Sequence, residues 1–419
     1  MHRAILKKSL VFKCTKLKGE TIRMEGRLVL MKKFLSLATA SILLFGMLAG
    51  CGTTGGTSGS KGETGDILVG GDLELTGKVA SYGTSTNEGI KLAFKQVNEK
   101  GGVLGRQIKW ITADNKSDAG EATAAATKLM TENKLSAMIG AVASTNTLAM
   151  VPVATENKIP LITSASTNSD VTVKDGNLNE WIFRSCFIDP FQGQVAANYA
   201  SNNLKVKTAA MLVDNSSDYS KGLASEFKKQ FEKNGGKIVG TENFTAGDKD
   251  FKAVLTRIKG TNPDLIFVPG YYAEVGIIIK QARDAGIEAA MLGGDGWDSP
   301  ELINIAGAAS LNKAYFVNHV SADDPSVKPF VDAYKAEYSK DPDALAFLGY
   351  DAANILVKAI ENAGSSDPEK IKDALANIKD FDGITGKISI DPATHNPVKS
   401  AVVIELKDGV QTFSARVNP

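Results

Sequence analysis

The chain has 419 residues, 43% of them apolar and 23% charged, enough for one large or two medium globular cores. Its formal net charge is +1, but residues 1–50 hold ten Lys/Arg against two acids, which leaves 38 basic and 45 acidic residues beyond them. A nucleic-acid binder shows the opposite bias on its folded part, so nucleic acid is excluded as an expected partner. The basic excess belongs to a leader: from Met31 to Cys51, MKKFLSLATASILLFGMLAGC sets Lys32 and Lys33 ahead of an apolar run and then small residues. That is the pattern of a secretory signal, and the run is too short to span a bilayer comfortably. Met31 is accordingly the expected start, with residues 1–30 lying upstream of it.

Leu48–Cys51 reads LAGC, which resembles a bacterial lipobox, the signal whose cysteine is lipidated and becomes the first mature residue. The alternative is an ordinary signal peptide that happens to contain a cysteine. Cys14 lies in the leader, and Cys186 is the only other cysteine, so no internal disulfide is expected if Cys51 carries lipid. CGTTGGTSGSKGETG, residues 51–65, is a Gly/Ser/Thr-rich tether that reaches roughly 50 Å at most when extended. The folded body is expected from Asp66.

Strands and helices then alternate. DILVGGDLEL reads as a buried strand, and TSTNEGIKLAFKQVNEKGG as a helix with Ile90, Ala93, Phe94 and Val97 at helical spacing and Gly101 as its stop. RQIKWITAD, LSAMIGAV and PLITSA read as further strands. AGEATAAATKLMTEN and TNTLAMVPVATEN read as the helices between them, the latter with an expected kink at Pro152. Repeated β-α-β units imply a parallel sheet covered by helices on both faces. A second series follows WIFRSCFIDP. TAAMLVDN, KIVGTENF, DLIFVPG and AAMLGGDG are its strands, and its first helix carries Leu223, Phe227 and Phe231 on one stripe. AVLTRIKG and EVGIIIKQARDAG are helices between those strands. After KAYFVNH come the helices PSVKPFVDAYKAEYS and ALAFLGYDAANILVKAIENAG, and ITGKISID and SAVVIELKDG are expected to close the body as paired strands. Two consecutive α/β series point to two lobes with a cleft between them.

Enzyme motifs are scarce, and an enzyme is not the expected reading. The histidines are His2, His319 and His395, and there is no HExxH, CxxC, GxSxG or P-loop. His319 is expected as a strand-end or surface histidine rather than a catalyst. DNKSDAGE, Asp114–Glu121, is like a calcium loop only superficially, because Lys116 stands where a ligand is needed. No cofactor and no metal are expected. Polar groups at strand C-terminal ends carry more information, because open α/β sheets bind ligands there. Ser144 and Thr145 open a helix after SAMIGAV, which suits either a carboxylate or a plain N-cap. Thr163–Thr167, TSAST, follows PLI and is either a site or a solvated turn. Tyr82, Tyr219, Tyr271 and Tyr272 follow strands at equivalent points, where they suit a pocket wall or core lids. Asp295 in GGDGWD stands alone between glycines at a strand end, with Trp297 two residues on. By itself it suits a base, a metal ligand, a turn residue or a counter-ion.

The chain resembles the bacterial leucine/isoleucine/valine-binding proteins, the receptors of branched-chain amino acid ABC transporters. The resemblance covers residues 66–419 and rests on segments in order: VASYGTSTNEGIKLAFKQVNEKGGVLGR, IGAVASTNTLA, IPLITSAST, FRSCFIDPFQGQ, TAGDKDF, PGYYAEVGIIIKQARDAG and GGDGWDSPELINIAG. It implies the two-lobed α/β fold of type I periplasmic binding proteins, each lobe a mostly parallel sheet flanked by helices, with the ligand in the inter-lobe cleft. It implies lobes of residues 66–187 plus 321–388 and 188–320 plus 389–419. Ser144 and Thr167 would bond the ligand's α-carboxylate, with Ala165 contributing backbone. Tyr82, Tyr219 and Tyr271 would line the pocket, and Asp295 would pair with the α-ammonium. Trp297 is less typical, and a large indole there would narrow the side-chain pocket, which keeps alanine and other small amino acids beside the branched-chain ones. Some relatives carry a cysteine pair in the first lobe; Ser117 and Ala143 occupy those places here. The implied protein is a monomer, anchored outside the membrane through Cys51, that binds an aliphatic L-amino acid by hinge closure and delivers it to a membrane permease. An extracellular sensor of the same fold is the alternative reading, and a secreted hydrolase with Asp295 as base is a more distant one.

Overall fold

The structure, a computed structural model, describes residues 65–418; the leader, Cys51 and nearly all of the tether lie outside the described residues. β1 (Ile67–Leu73), α1 (Ala80–Glu99), β2 (Ile108–Asp114), α2 (Ala119–Glu132), β3 (Ala137–Gly140), α3 (Ser144–Asn157) and β4 (Leu161–Thr163) follow in turn. A two-strand hairpin, β5 (Val173–Lys174) and β6 (Asn177–Leu178), precedes β7 (Ile182–Arg184). The first sheet has the order β2-β1-β3-β4-β7 and is parallel throughout. Its central strands are buried on both faces, which is why β1 and β3 read as apolar runs rather than as alternations. Asp118 caps α2 by accepting from the backbone N–H groups of Gly120 and Glu121. Pro152 lies inside α3 without ending it.

α4 (Asp189–Asn202) leads into the second series: β8 (Thr208–Asp214), α5 (Asp218–Lys233), β9 (Lys237–Phe244), α6 (Lys252–Gly260), β10 (Leu265–Phe267), α7 (Tyr272–Asp284) and β11 (Ala290–Gly293). α8 (Pro300–Ala306) and β12 (Ala314–Asn318) follow, then α9 (Lys328–Tyr338), α10 (Ala344–Ala363) and α11 (Pro368–Ala376). The stripe expected on α5 is buried: Leu223, Phe227 and Phe231 are fully enclosed, and Phe227 stacks on Phe267 of β10 at 3.8 Å. Each such burial stabilises by about 1.5–3 kcal/mol, so this helix face is fixed to its sheet. α10 returns to α1 of the first series. A Cβ added at Gly89 would stand 2.0 Å from the Ala346 carbonyl oxygen, and one at Gly349 would stand 2.4 Å from that of Thr86. Glycine at both positions is what lets the two helices touch backbone to backbone.

The chain closes with β13 (Phe381–Gly383), β14 (Gly386–Ile388), β15 (Ala401–Lys407) and β16 (Val410–Val417). The expected pairing of ITGKISID with SAVVIELKDG is not formed. β14 pairs with β13 in a hairpin of its own, whereas β15 lies antiparallel between β12 and β16. The segment between them explains the difference. Asp391 holds a turn by accepting from Ala393 N and Thr394 Oγ1. His395 then lies along β7, with its ring Nδ1 2.9 Å from the Ile182 carbonyl oxygen. That excursion separates the two strands and carries the chain into the second sheet, whose order is β16-β15-β12-β11-β10-β8-β9.

Candidate ligand-binding cleft

The two sheets meet at the C-terminal ends of their parallel strands, and a small cavity lies between them. Tyr82, Ser144, Ala165, Tyr219, Tyr271 and Asp295 line it, together with Val142, Gly296 and Leu345. Six of the eight residues singled out as ligand contacts in the sequence therefore converge on one space. Larger depressions lie beside α10 and beside β14. They are open grooves rich in surface charges. The smaller cavity combines aromatic walls with a caged acid, the pattern of a small-molecule site.

Asp295 is buried at 9% exposure and held by three donors. The Tyr219 hydroxyl and Gln192 Nε2 both donate to its Oδ1 at 2.9 Å, and His319 Nε2 lies 2.9 Å from its Oδ2. Burial pushes the His319 pKa down against the opposing pull of Asp295, so the ring is neutral at neutral pH and its Nε2–H is the donor. The ring stacks on Phe187 at 3.7 Å, and its Nδ1 is buried without a hydrogen-bond partner. His319 does stand at a strand end, after β12, but it is buried rather than on the surface. The Tyr219 hydroxyl also accepts from Gly296 N at 3.1 Å, which ties the loop to the same phenol. Tyr219 stacks on Tyr271 at 5.2 Å, and Tyr271 meets Tyr82 edge-on at 5.7 Å. Burial raises all three phenols well above their ordinary range, so they remain protonated hydrogen-bond donors.

The glycines of GGDGWD serve this cage. A Cβ at Gly294 would lie 1.9 Å from Gln192 Oε1 and 2.5 Å from the Tyr219 hydroxyl. A Cβ at Gly293 would lie 2.1 Å from the Trp297 indole. Trp297 is itself fully buried, donates its ring N–H to the Val268 carbonyl at 2.9 Å and packs near Phe316. It is not among the cavity-lining residues and supports the Asp295 loop from behind.

On the opposite wall Glu74, at the end of β1, accepts from Val142 N, Ala143 N and Asn146 Nδ2 at 3.1, 3.0 and 2.9 Å. Burial raises its pKa and those bonds oppose the rise. Glu74 fixes the approach to α3, whose first-turn N–H groups at Ser144 and Thr145 have no partner within the helix. Ser144 Oγ accepts from Asn168 N at 3.3 Å. Thr167 is buried beside this wall, but its hydroxyl makes no hydrogen bond and does not line the cavity. Its carbonyl accepts from Asp189 N at 2.9 Å, and burial pushes the Asp189 carboxyl up to about 8.

The cleft is shut. The Tyr82 hydroxyl donates to the Gly296 carbonyl across it. Ser81 Oγ meets Ser299 Oγ at 2.9 Å, Thr145 Oγ1 accepts from Asp218 N at 3.1 Å, and Asn168 Nδ2 donates to the Asp218 carbonyl at 2.8 Å. At the start of α10, Asp298 accepts from Ala344 N at 2.8 Å and from Gln411 Nε2 at 2.7 Å. Gln192, Glu74 and Leu345 carry no assignment in the sequence, and His319 carries only that of a strand-end or surface residue. Gln192 lies in the FIDPFQGQ segment, but nothing in that segment pairs it with an acid 103 residues away.

The chain has relatives of known family and fold. A profile described as periplasmic binding protein matches residues 66–411. The leucine-, isoleucine-, valine-, threonine- and alanine-binding protein of Pseudomonas aeruginosa is 33% identical over 318 residues, covering 76% of this chain and 83% of its own. The crystal structure of a leucine-binding protein from Thermotoga maritima superposes with a TM-score of 0.79 at 40% identity, covering 84% of this chain and 99% of that one. The branched-chain amino acid transporter substrate-binding protein LivJ of Streptococcus pneumoniae, solved with isoleucine, gives a TM-score of 0.79 at 38% identity, covering 84% and 100%. The chain belongs to the periplasmic binding protein family.

Proposed function

We propose that the chain is the extracytoplasmic substrate-binding receptor of an ABC importer and that it captures an aliphatic L-amino acid, branched-chain or similar. The observation that carries this reading is the pair of unlike ends on one small cavity: a caged carboxylate, Asp295, faces the first turn of α3. A zwitterion entering a closing cleft loses water from both charges, and each must be matched or binding loses several kcal/mol. Asp295 takes the α-ammonium. The N–H groups and hydroxyl at Ser144 take the α-carboxylate, with Ala165 contributing backbone and Thr167 reached on ligand entry. Tyr82, Tyr219 and Tyr271 wall the cavity, Val142 and Leu345 receive the aliphatic side chain, and Trp297 braces the Asp295 loop from behind. Relatives that bind leucine, isoleucine and valine support the ligand class. One methylene is worth only about 1–3 kcal/mol of discrimination, so related amino acids share the site.

The lobes follow the sheets: residues 66–187 plus 321–388 form one and residues 188–320 plus 389–419 the other, with the His395 segment as a crossing laid on β7. Closure is a hinge motion favoured by ligand because both lobes contribute contacts. The liganded monomer docks on a membrane permease. No helix among the described residues is long and apolar enough to cross a membrane. Lipid on Cys51, which lies outside the described residues, supplies the anchor, and Cys51→Ala is expected to release the protein from membranes. Retention there would mean a different anchor. The ligand class is tested by melting the ligand-stripped chain with each of the twenty amino acids, since ligand that binds only the folded state raises Tm. Aliphatic amino acids are expected to raise it, and no shift with any of the twenty would sink the assignment.

A further inference from the structure

We infer that His319 is the positioning residue for the ammonium counter-ion and that Asp295 Oδ2, the oxygen it holds, is the one presented to the ligand. This rests on the reading of Asp295 given above. A carboxylate oxygen has two lone-pair directions. At Oδ1 both are engaged, one by Gln192 Nε2 and one by the Tyr219 hydroxyl, each at 2.9 Å. Oδ2 carries a single partner, His319 Nε2 at 2.9 Å, and so retains one direction for an incoming ammonium. Donors on Oδ1 alone would leave the short side chain free to pivot about that atom. The third contact, on the other oxygen, fixes the carboxylate plane.

The imidazole is itself well placed to do this. Its side chain is 1% exposed, its ring lies flat on Phe187, and Gln192 from α4 closes the other side of the carboxylate. It is also the right kind of donor. A neutral ring orients Asp295 without cancelling its charge, whereas a lysine or arginine there would neutralise the group that the ligand needs. The charged groups around the ring are Asp295 and Asp298, which favour its cation, and Lys399, which together with burial opposes it. His319 does not line the cavity, so it acts through Asp295.

The test is a double-mutant cycle by titration calorimetry with L-leucine, L-isoleucine, L-valine and L-alanine on the full chain freed of ligand, each variant also being melted to check folding. His319→Leu removes the donor, and His319→Gln places an amide N–H where imidazole Nε2 stood. His319→Leu is expected to weaken binding roughly ten- to a hundred-fold, the range for a hydrogen bond to a charged group. His319→Gln is expected to restore most of that loss. In an Asp295→Asn background, His319→Leu is expected to add little, because its effect runs through the lost carboxylate. Unchanged affinity in His319→Leu overturns the inference. So does a loss in both His319 variants that multiplies with Asp295→Asn, since that marks a packing role. If Asp295→Asn binds as tightly as the parent, it is the counter-ion reading that fails, whatever position 319 does.

Discussion

Tyr82→Phe isolates the closing contact of the cleft. The Tyr82 hydroxyl donates to the Gly296 carbonyl and accepts from Tyr272 N at 3.3 Å, and the residue is 2% exposed. Its ring packs edge-on against Tyr271 and Tyr272 at 5.7 and 5.0 Å, and phenylalanine keeps those contacts. The variant therefore deletes hydrogen bonds and little else. In an open cleft water satisfies Gly296 and Tyr272; in the closed one the variant leaves the Gly296 carbonyl dry. Leaving one such group unpaired costs about 1–3 kcal/mol, and the Tyr272 N–H at its longer distance adds less. Closure is thus disfavoured by roughly five- to 150-fold, and since ligand is held in the closed form, Kd rises by about the same factor. Calorimetry gives Kd and stopped-flow displacement gives the off-rate, which is expected to carry most of the change. A Kd within twofold of the parent, with an unchanged off-rate, would refute the assignment of this contact to the liganded state.

Gly294→Ala puts a methyl group into Gln192 Oε1 and the Tyr219 hydroxyl, so it dismantles two of the three bonds on Asp295. Amino-acid binding is expected to weaken about a hundred-fold or more by calorimetry, and a normal affinity would show that the cage is dispensable. Asp343 caps α10 across from Asp298, and burial first and Asp298 second push its carboxyl up to about 7. A raised carboxyl pKa favours the protonated form in the folded chain, so its cost is absent below the ordinary carboxylate range and grows as pH rises from about 4 through 7. Asp343→Asn keeps the cap and is expected to raise Tm more at pH 8 than at pH 5; equal gains at both would contradict the assignment.

The parts of the fold that read clearly in sequence are those with a strong local pattern. The apolar β1 and β3 segments, the α5 stripe and the Gly101 stop of α1 are where periodicity placed them. α4 was harder to see, because Gln192, Gly193, Val195, Ala196, Ala197, Tyr199 and Ala200 are buried around most of its circumference and leave no single stripe. Nearness in sequence suggests that β14 and β15 pair, while the His395 excursion that parts them is a tertiary contact with β7. At the site, strand-end position and residue type singled out the cavity wall and Asp295. They did not reveal Gln192 or His319, since a glutamine in a helix and a lone histidine acquire meaning only when folding brings them to one carboxylate. The size of Trp297 suggests a ligand contact, but its indole N–H and ring are both used by the core.

If one cavity matches both charges of an amino acid, with Asp295 at one end and the start of α3 at the other, removing either charge costs affinity. The most direct measurement is calorimetric titration of L-leucine, leucinamide and 4-methylpentanoate into the parent chain and into Asp295→Asn. Removing either charge from the ligand is expected to weaken binding to the parent about a hundred-fold or more, because a desolvated partner is left unmatched. In Asp295→Asn the advantage of leucine over 4-methylpentanoate is expected to disappear, while its advantage over leucinamide remains. Binding of 4-methylpentanoate to the parent chain as tight as that of leucine would contradict the claim.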